Sequence, residues 1–276
     1  MNMQLKHACA ALALSVLLAG GARAADGSEA DIVGLTLGMT VAEAEAAIKA
    51  YNPDLHIQPP VQKIYQYRVG NKTHKTDPFV SYIFAVSGKK QHDSIYVYFS
   101  LPPSEPRAIA ISRIHNNFDP PISREAYIEA LHEKYGPPQA SEIDATNDNK
   151  RQTHRYQWLI GDGKVQCLRA IPGGYKVDGP YGSVGASTGA IESGRILPAI
   201  QNSTTGKMIA PDATSPDDCA VLLTYSLAYD PLGSAKGVLV DVAAAARSEA
   251  GVAAWIDSLV QNRQPPAKPA SGKPKL

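Results

Sequence analysis

The sequence predicts an α+β protein in which antiparallel β-sheet carries helices packed on one face. Two observations predict this class. Segments of alternating apolar and polar residues recur between clusters of turn-forming residues, a pattern typical of antiparallel strands. Two segments with helix start and stop signals, at 40–52 and 123–136, each precede such strands. The chain is therefore expected to form either a duplicated helix-plus-sheet unit, divided into 25–120 and 121–263, or one continuous sheet carrying both helices.

The amino terminus predicts export. Residues 8–21 form an apolar run after Lys6, and Ala22-Arg23-Ala24 has the small-x-small pattern of a signal-peptidase site. The run spans about 14 residues, fewer than the roughly 20 that a membrane-spanning helix needs. We therefore expect a signal peptide at 1–24, no membrane span, and a mature chain that is periplasmic or secreted. An uncleaved anchor is the alternative.

The charge balance argues against nucleic-acid binding. The full chain has 27 basic and 26 acidic residues, and loss of residues 1–24 removes two basic residues and no acidic one. A chain with nearly equal charges lacks the basic footprint that a phosphate backbone requires. We therefore expect no nucleic-acid partner.

The first helix follows a stretch that contains two glycines, Gly34 and Gly38. Their spacing fits neither the Walker loop, G-x-x-x-x-G-K-[ST], nor the dinucleotide fingerprint, G-x-G-x-x-G. Thr40 and Glu43 instead match a T-x-x-E capping box, in which each residue satisfies an amide of the other. Apolar residues then recur on one helical face, and Asn52-Pro53 ends the helix. The glycines are expected to shape the backbone and not to hold a phosphate.

Residues 34–40, which read G-L-T-L-G-M-T, with Glu43 and Ala44 after them, resemble the G-[ILV]-x-L-G-M-[ST]-x-x-[EQ]-[AV] helix start of many bacterial envelope proteins. These include the SmpA/OmlA-like outer-membrane assembly accessory proteins and the β-lactamase-inhibitor-like group. The K-Y-G-P-P ending of the second helix, at 134–138, is similar to helix ends in the same proteins. The resemblance implies helices on a small antiparallel sheet, and binding of other proteins without catalysis. The chain departs from the pattern where its first helix ends in Tyr-Asn-Pro.

A β-meander is predicted between the two helices. Four segments alternate at period two, and turn formers such as Gly70-Asn71 separate them. In the third segment the odd-numbered residues from Ile95 to Leu101 are apolar and point to one face, while Tyr96 and Tyr98 point to the other. The segments are 61–69, 79–86, 94–101 and 107–114.

Further strands and a third helix are expected after the second helix. HRYQWLI, at 154–160, and VQCLRAI, at 165–171, are joined by Gly-Asp-Gly-Lys and predict a β-hairpin. Another strand begins at Cys219, and a helix capped by Asp241 follows it. Four prolines and three lysines in residues 264–276 predict a disordered tail.

Two cysteines remain in the expected mature chain, Cys167 and Cys219. Both lie in alternating apolar segments that face a predicted core, and an even number of cysteines in an exported protein favours pairing. We therefore expect a structural disulfide between them. Two separate buried thiols are the alternative, since the sequence lacks the C-x-x-C motif of a redox or metal site.

Tyrosine dominates the aromatic residues, with thirteen tyrosines against four phenylalanines and two tryptophans. Tyrosine suits half-exposed binding faces because its ring is apolar and its hydroxyl is polar. Tyr65 and Tyr67 repeat the i, i+2 arrangement of Tyr96 and Tyr98, and a register that aligns them would place all four on one sheet face. These four residues are the candidate binding face for a protein or glycan. Packing under helices or between strands is the alternative.

Signatures of catalysis and metal binding are weak. Ser187 lies in a G-x-S-x-G match, but the match falls in a glycine-rich stretch and no histidine follows His154. The histidines show neither H-x-H nor H-E-x-x-H spacing. We therefore predict no catalytic residue, no metal site and no cofactor.

The sequence as a whole predicts a non-catalytic periplasmic binding or envelope-maintenance protein, which contacts another envelope protein or a cell-wall component. A secreted inhibitor of an enzyme is one alternative, and it would need a protruding loop, for which residues 172–216 are the candidate. An unrecognised hydrolase is the second alternative, and it would need a deep cleft with convergent polar groups.

Overall fold

The protein is an α+β protein built on one large antiparallel sheet, which confirms the predicted class. A computed structural model describes residues 30–88, 92–143, 148–165, 167, 177–179, 182–184 and 215–263. The expected signal peptide, the stretch around Ser187 and the expected tail lie outside the described residues. Among the helices of the described part, none combines the length and the apolar character needed to cross a membrane.

The described residues form three α-helices, one sheet of nine strands and three separate strand pairs. The helices are α1 (Val41–Tyr51), α2 (Arg124–Tyr135) and α3 (Val242–Arg263). The separate pairs are β1 (Asp31–Ile32) with β2 (Leu35–Thr36), β5 (Gln66–Val69) with β6 (Lys72–Lys75), and β12 (Val177–Gly179) with β13 (Gly182–Val184). The large sheet contains β3 (Leu55–Ile57), β4 (Val61–Lys63), β7 (Phe79–Ser87), β8 (Asp93–Phe99), β9 (Ala108–Asn116), β10 (Ala140–Ile143), β11 (Thr153–Ile160), β14 (Val221–Ala228) and β15 (Ser234–Asp241).

The strand order of the large sheet is β10-β11-β14-β15-β9-β8-β7-β3, and β4 also pairs with β7. Strands that precede α2 in the chain form one half of the sheet, and strands that follow α2 form the other. The two halves meet where β9 pairs with β15, with Arg113 opposite Gly237. The chain therefore forms one continuous sheet in which the strand order of one half mirrors that of the other.

The helices divide between the two faces of the sheet. Val97 of β8 belongs to a buried cluster that includes Ile48 of α1 and Leu131 of α2. The next residue, Tyr98, belongs to a second cluster with Ala245 of α3. Because successive strand residues point to opposite faces, α3 lies on the face opposite α1 and α2. The expectation of helices on one face is therefore wrong for α3.

Both faces of the central strands are apolar, which explains the position of α3. In β15, three successive residues, Val238, Leu239 and Val240, are 3%, 0% and 0% exposed. A strand that presents apolar residues on both sides needs cover on both sides of the sheet. Helix α3 follows β15 directly, and the Asp241 carboxylate accepts the Ala244 N–H at 2.7 Å, as expected for a cap.

The start of α1 confirms the predicted capping box. The Thr40 N–H donates to Glu43 Oε2 at 2.8 Å, and Thr40 Oγ1 accepts the Glu43 N–H at 3.2 Å. Gly38 precedes the cap with φ of +83°, a backbone conformation that glycine adopts without strain, and its N–H donates to the Ala108 carbonyl at 2.8 Å. This glycine therefore joins the start of α1 to the start of β9.

One strand prediction is wrong, and another concerns residues that are mostly outside the described ranges. Segment 61–69 is not one strand, because β4 ends at Lys63 and β5 pairs with β6 outside the large sheet. The predicted hairpin of 154–160 with 165–171 falls mostly outside the described residues, which include only Val165 and Cys167 of its second segment. Val165 makes a parallel bridge to Cys219.

The predicted disulfide between Cys167 and Cys219 is present. Their Cα atoms are 5.4 Å apart, and the bond joins positions separated by 52 residues. Both cysteines are buried in the cluster that packs against α3. The disulfide therefore joins the segment after β11 to the start of β14 on the α3 side of the sheet.

Candidate functional site

Four aromatic residues of β7 and β8 form what we call the aromatic face: Tyr82, Phe84, Tyr96 and Tyr98. The register of the two strands places Tyr82 opposite Tyr98 and Phe84 opposite Tyr96. Residues two apart in a strand share a face, so all four side chains project on the side of the sheet that carries α3. The aromatic face thus includes two of the predicted tyrosines, Tyr96 and Tyr98, and two residues that the prediction omitted.

The rings of the aromatic face contact one another. Phe84 and Tyr96 stack with centroids 4.4 Å apart, Tyr82 and Tyr98 lie 5.4 Å apart, and the rings of Tyr96 and Tyr98 are nearly parallel at 11°. Tyr98 is 4% exposed and belongs to the cluster of α3, whereas Tyr82, Phe84 and Tyr96 are half-buried. The aromatic face therefore runs from a buried ring beside α3 to half-exposed rings further from it.

Small side chains lie beside the aromatic face. On the neighbouring strand β9, Ser112 is opposite Tyr96 and Ala110 is opposite Tyr98. Both small residues are buried, at 1% and 0% exposure. A serine and an alanine rise less far from a sheet than an aromatic ring, so Phe84 and Tyr96 stand higher than the floor next to them. Because both small residues are buried, a partner would contact the half-exposed rings and not this floor.

Tyr65 and Tyr67 do not join the aromatic face, which corrects the predicted set of four. Tyr67 lies in β5, outside the large sheet, is 6% exposed and stacks with His74 at 5.6 Å. Tyr65 stacks with Phe79 at 5.1 Å, and burial raises the pKa of its phenol. The two residues are separated from Tyr96 because the chain leaves the large sheet after Lys63.

A second group of functional side chains lies on the other face of the sheet, and we call it the charged cluster: Tyr51, Asp93, Arg113 and His115. Asp93 starts β8, Arg113 and His115 belong to β9, and Tyr51 ends α1. Arg113 Nε donates to Asp93 Oδ1 at 3.0 Å and Arg113 Nη2 to Asp93 Oδ2 at 2.9 Å, which is a bidentate ion pair. Only 4% of the Asp93 side chain and 16% of the Arg113 side chain are exposed.

Tyr51 and His115 supply the remaining polar contacts around Asp93 in the charged cluster. The Tyr51 hydroxyl donates to Asp93 Oδ2 at 2.8 Å and accepts a hydrogen bond from Arg113 Nη2. His115 Nδ1 lies 3.0 Å from Arg113 Nη2 and 3.4 Å from Asp93 Oδ2. The cluster therefore ties the last residue of α1 to two strands of the sheet.

The electrostatics of the charged cluster keep Asp93 ionised and Tyr51 protonated near neutral pH. Burial by itself raises the pKa of Asp93, but hydrogen bonds from His115, Arg113 and Tyr51 outweigh burial and lower that pKa to about 2. Burial raises the pKa of Tyr51 to about 12. An acid or base works best when its pKa lies near the working pH, so neither group suits proton transfer at pH 7.

Two open grooves lie elsewhere on the surface. One, of about 740 Å³, runs between α1 and the edge strand β3, and Lys49, His56 and Pro60 line it. The other, of about 450 Å³, lies at the start of α3 and is lined by Arg107 and Arg247, among others. Arg107 forms an ion pair with Glu105, and Arg247 forms an ion pair with Asp217. Neither groove includes the aromatic face or the charged cluster.

Two further predictions concern ligand and partner elements. In the described ranges no group of three His, Cys, Asp or Glu side chains has the arrangement of a metal site. Of the loop 172–216, the structure describes 177–179 and 182–184, which pair as β12 and β13, and 215–216. The rest of that loop lies outside the described residues, so the protruding loop of an inhibitor stays a prediction.

Sequence reasoning missed the charged cluster, although a signal was present. Asp93 is two and four positions from the apolar residues Ile95 and Val97, and Arg113 is two positions from Ile111. Residues two apart in a strand share a face, so these charges point to the buried face of their strands. Charged residues at core positions are rarely fully buried unless they are paired. The alternation therefore marks each residue as a charge at a core position, and the β8–β9 register brings the two together.

Comparisons with family models, with curated proteins and with solved structures gave no match to this chain.

Proposed function

We propose that this protein is a non-catalytic binding protein of the bacterial periplasm, which contacts another envelope protein or a cell-wall component through the aromatic face. The observation that carries the proposal is the stacked pair of half-exposed rings at Phe84 and Tyr96, 4.4 Å apart, beside the small floor residue Ser112. Aromatic rings are enriched in binding interfaces because they bury a large area with few rotatable bonds.

The state of the charged cluster supports a function without catalysis. Asp93 stays ionised and Tyr51 stays protonated at neutral pH, and each makes hydrogen bonds within the cluster. A buried ion pair of this kind anchors structural elements, and here it anchors the end of α1 to the sheet. The alternative of a hydrolase would need a nucleophile in contact with a base, and the four residues of this cluster include no serine, threonine or cysteine.

The topology supports a duplicated helix-plus-sheet unit. Helix α1 precedes β3, β7, β8 and β9, and helix α2 precedes β10, β11, β14 and β15, with the last strand of each set at the centre. We propose that the two units, 25–120 and 121–263, arose from one such unit and joined through the pairing of β9 with β15. This arrangement agrees with the resemblance to envelope proteins that carry helices on a small antiparallel sheet.

The proposed location rests on the apolar amino-terminal run and on the disulfide between Cys167 and Cys219. Disulfides persist in oxidising compartments, of which the periplasm is one. Expression of the full chain in bacteria, followed by fractionation and by mass measurement of the mature protein, tests export and the expected cleavage after Ala24.

Site-specific photocrosslinking tests the aromatic face. The full chain is produced in bacterial cells with a photoreactive phenylalanine at position 84, and a second sample carries the same residue at Tyr229, which is 52% exposed in a turn after β14. We expect a discrete adduct with a protein or glycan from position 84 and none from position 229. Equal labelling at both positions, or no adduct at 84, would contradict the proposal.

A substitution series separates binding from stability. We expect Tyr96→Ser to reduce adduct formation at position 84 by about fivefold or more, since one stacked ring contributes on the order of 1 kcal/mol or more to an interface. Tyr98→Ser is expected to lower the melting temperature as well, because Tyr98 is 4% exposed and packs in the core. Circular dichroism melts of both variants distinguish the two effects.

A further inference from the structure

The β5–β6 hairpin concentrates positive charge. From residue 55 to residue 76 the sequence contains four Lys or Arg residues and no Asp or Glu. Three of the cations, Arg68, Lys72 and Lys75, are exposed. None of the three belongs to an ion pair in the described part of the chain, whereas most other arginines there, such as Arg155, pair with a carboxylate. The hairpin therefore presents uncompensated charge to solvent.

The pairing of the hairpin places two of the three cations on one side and Lys72, near the turn, on the other. Arg68 is opposite Thr73 and Gln66 is opposite Lys75, so Arg68 and Lys75 share one side of the two-stranded pair. The other side carries Tyr67 and His74, which stack at 5.6 Å. Because β5 and β6 pair only with each other among the described strands, this hairpin stands apart from the large sheet.

An apolar residue accompanies the exposed cations. Ile64 lies two residues before β5 and is 42% exposed, one of the few large apolar side chains of the described part with that much exposure. Ile64, Gln66 and Arg68 are exposed, whereas Tyr67 is buried. A surface that combines cations with an exposed apolar side chain is typical of proteins that adsorb to a lipid interface.

The end of α3 brings more cations to the same place. The Arg263 guanidinium lies over the Tyr67 ring at 5.6 Å, and its Nη1 lies 2.7 Å from His74 Nδ1. Arg263 is the last residue of α3, so the chain continues from a point beside the hairpin. The next residues, 264–276, contain three lysines and no acidic residue. The hairpin and Arg263 therefore bring cations together at one place on the described surface.

We propose that the β5–β6 hairpin docks the protein on the surface of an anionic phospholipid bilayer. A bilayer fits better than an acidic protein because the exposed cations of the hairpin lie close in the chain to an exposed apolar residue, Ile64, and the two described grooves lie elsewhere. The overall charge of the chain is close to zero, so attraction depends on this local cluster and not on net charge. The hairpin is distinct from the aromatic face, and bilayer docking leaves that face available.

Vesicle binding tests the proposal on the mature full chain. Vesicles with about 30 mol% phosphatidylglycerol in phosphatidylcholine are compared with pure phosphatidylcholine by co-sedimentation at low and at physiological salt. We expect binding to the anionic vesicles only, and weaker binding at higher salt. The triple variant R68Q/K72Q/K75Q is expected to bind about a hundredfold more weakly, given the contribution of each cation near an anionic bilayer.

A matched control removes the same charge elsewhere. Lys49, Lys150 and Lys236 also make no ion pair in the described part, and K49Q/K150Q/K236Q lowers the net charge by the same amount. We expect this control to bind anionic vesicles within about threefold of the unchanged protein. Equal losses in the two triple variants, or no binding to anionic vesicles, would overturn the proposal. Retention on immobilised polyglutamate without vesicle binding would overturn it too, and would identify an acidic polypeptide as the partner.

Discussion

Replacement of Asp93 by asparagine tests whether the charged cluster is the electrostatic anchor between α1 and the sheet. Asparagine keeps the size of the side chain but removes its charge. Asp93→Asn therefore leaves the Arg113 guanidinium, 16% exposed, beside a neutral group. Such a change leaves a mostly buried cation without its counter-ion and removes an acceptor of charge-assisted hydrogen bonds.

The size of the effect follows from the pKa of Asp93. The hydrogen bonds of the cluster lower that pKa from 3.8 to about 2, and each unit corresponds to about 1.4 kcal/mol of preference for the charged form. We therefore expect Asp93→Asn to lower the free energy of unfolding at pH 7 by about 2 to 3 kcal/mol, close to the lower end for broken buried pairs. Partial exposure of His115, at 24%, and of Arg113 limits the loss.

Urea denaturation across a pH series is the assay. A carboxyl group whose pKa is lowered by folding stabilises the folded state above its unfolded pKa, and this contribution disappears as the pH falls through the folded pKa. For Asp93 the window runs from about pH 4 down to about pH 2. The difference in stability between the unchanged protein and Asp93→Asn should be constant from pH 7 to pH 5 and should shrink across that window.

A surface pair provides the control for this experiment. Glu105 and Arg107 pair at 3.3 Å, but their side chains are 84% and 49% exposed. Exposed pairs contribute little, so we expect Glu105→Gln to change stability by less than about 1 kcal/mol. Two results would refute the reasoning: a loss from Asp93→Asn no larger than that of the control, or a difference from the unchanged protein that stays constant down to pH 2.

Two further substitutions test the local elements. Thr40→Ala removes the acceptor of the Glu43 N–H and should lower the free energy of unfolding by about 1 kcal/mol, measured by urea denaturation, with Thr73→Ala on the exposed side of the β5–β6 hairpin as a near-neutral control. Reduction of the Cys167–Cys219 bond opens a loop that spans 52 positions. By chain entropy this should cost about 4 kcal/mol. A Cys167→Ala/Cys219→Ala variant should show the same loss in the absence of reductant, and no further response to it.

Local signals predicted the local structure well. The T-x-x-E pattern at Thr40 gave the start of α1, because a capping box uses atoms only three residues apart. The alternation after Ser94 gave the two faces of β8, because the side-chain period of a strand depends on the strand alone. The cysteine pair followed from composition and compartment. Each of these features depends on only a few residues, which are either close together in the sequence or, like cysteine, chemically unique.

Predictions that required long-range pairing were wrong or incomplete. Gly-Asp-Gly-Lys at 161–164 is a strong turn signal, yet the next residue, Val165, makes a parallel bridge to Cys219, while Ile160 of β11 pairs with Val221 of β14. Strand β15 lies at the centre of the sheet and was not predicted, because Gly237 and Lys236 interrupt its apolar pattern. The stability that a strand gains when it pairs depends on its partner strand. The sequence of a single segment carries no information about that partner.

The same limit explains the candidate site. Tyr65 and Tyr67 have the same spacing as Tyr96 and Tyr98, and spacing alone placed the four on one face. The chain between them leaves the large sheet after Lys63, so identical local patterns end in different environments: Tyr67 is buried against His74 and Arg263, while Tyr96 stacks on Phe84. Phe84 was missed because it lies on the neighbouring strand and becomes a partner of Tyr96 only through the β7–β8 register. A binding surface on a sheet is thus a property of register, and the adduct expected at position 84 tests the register and the proposed function together.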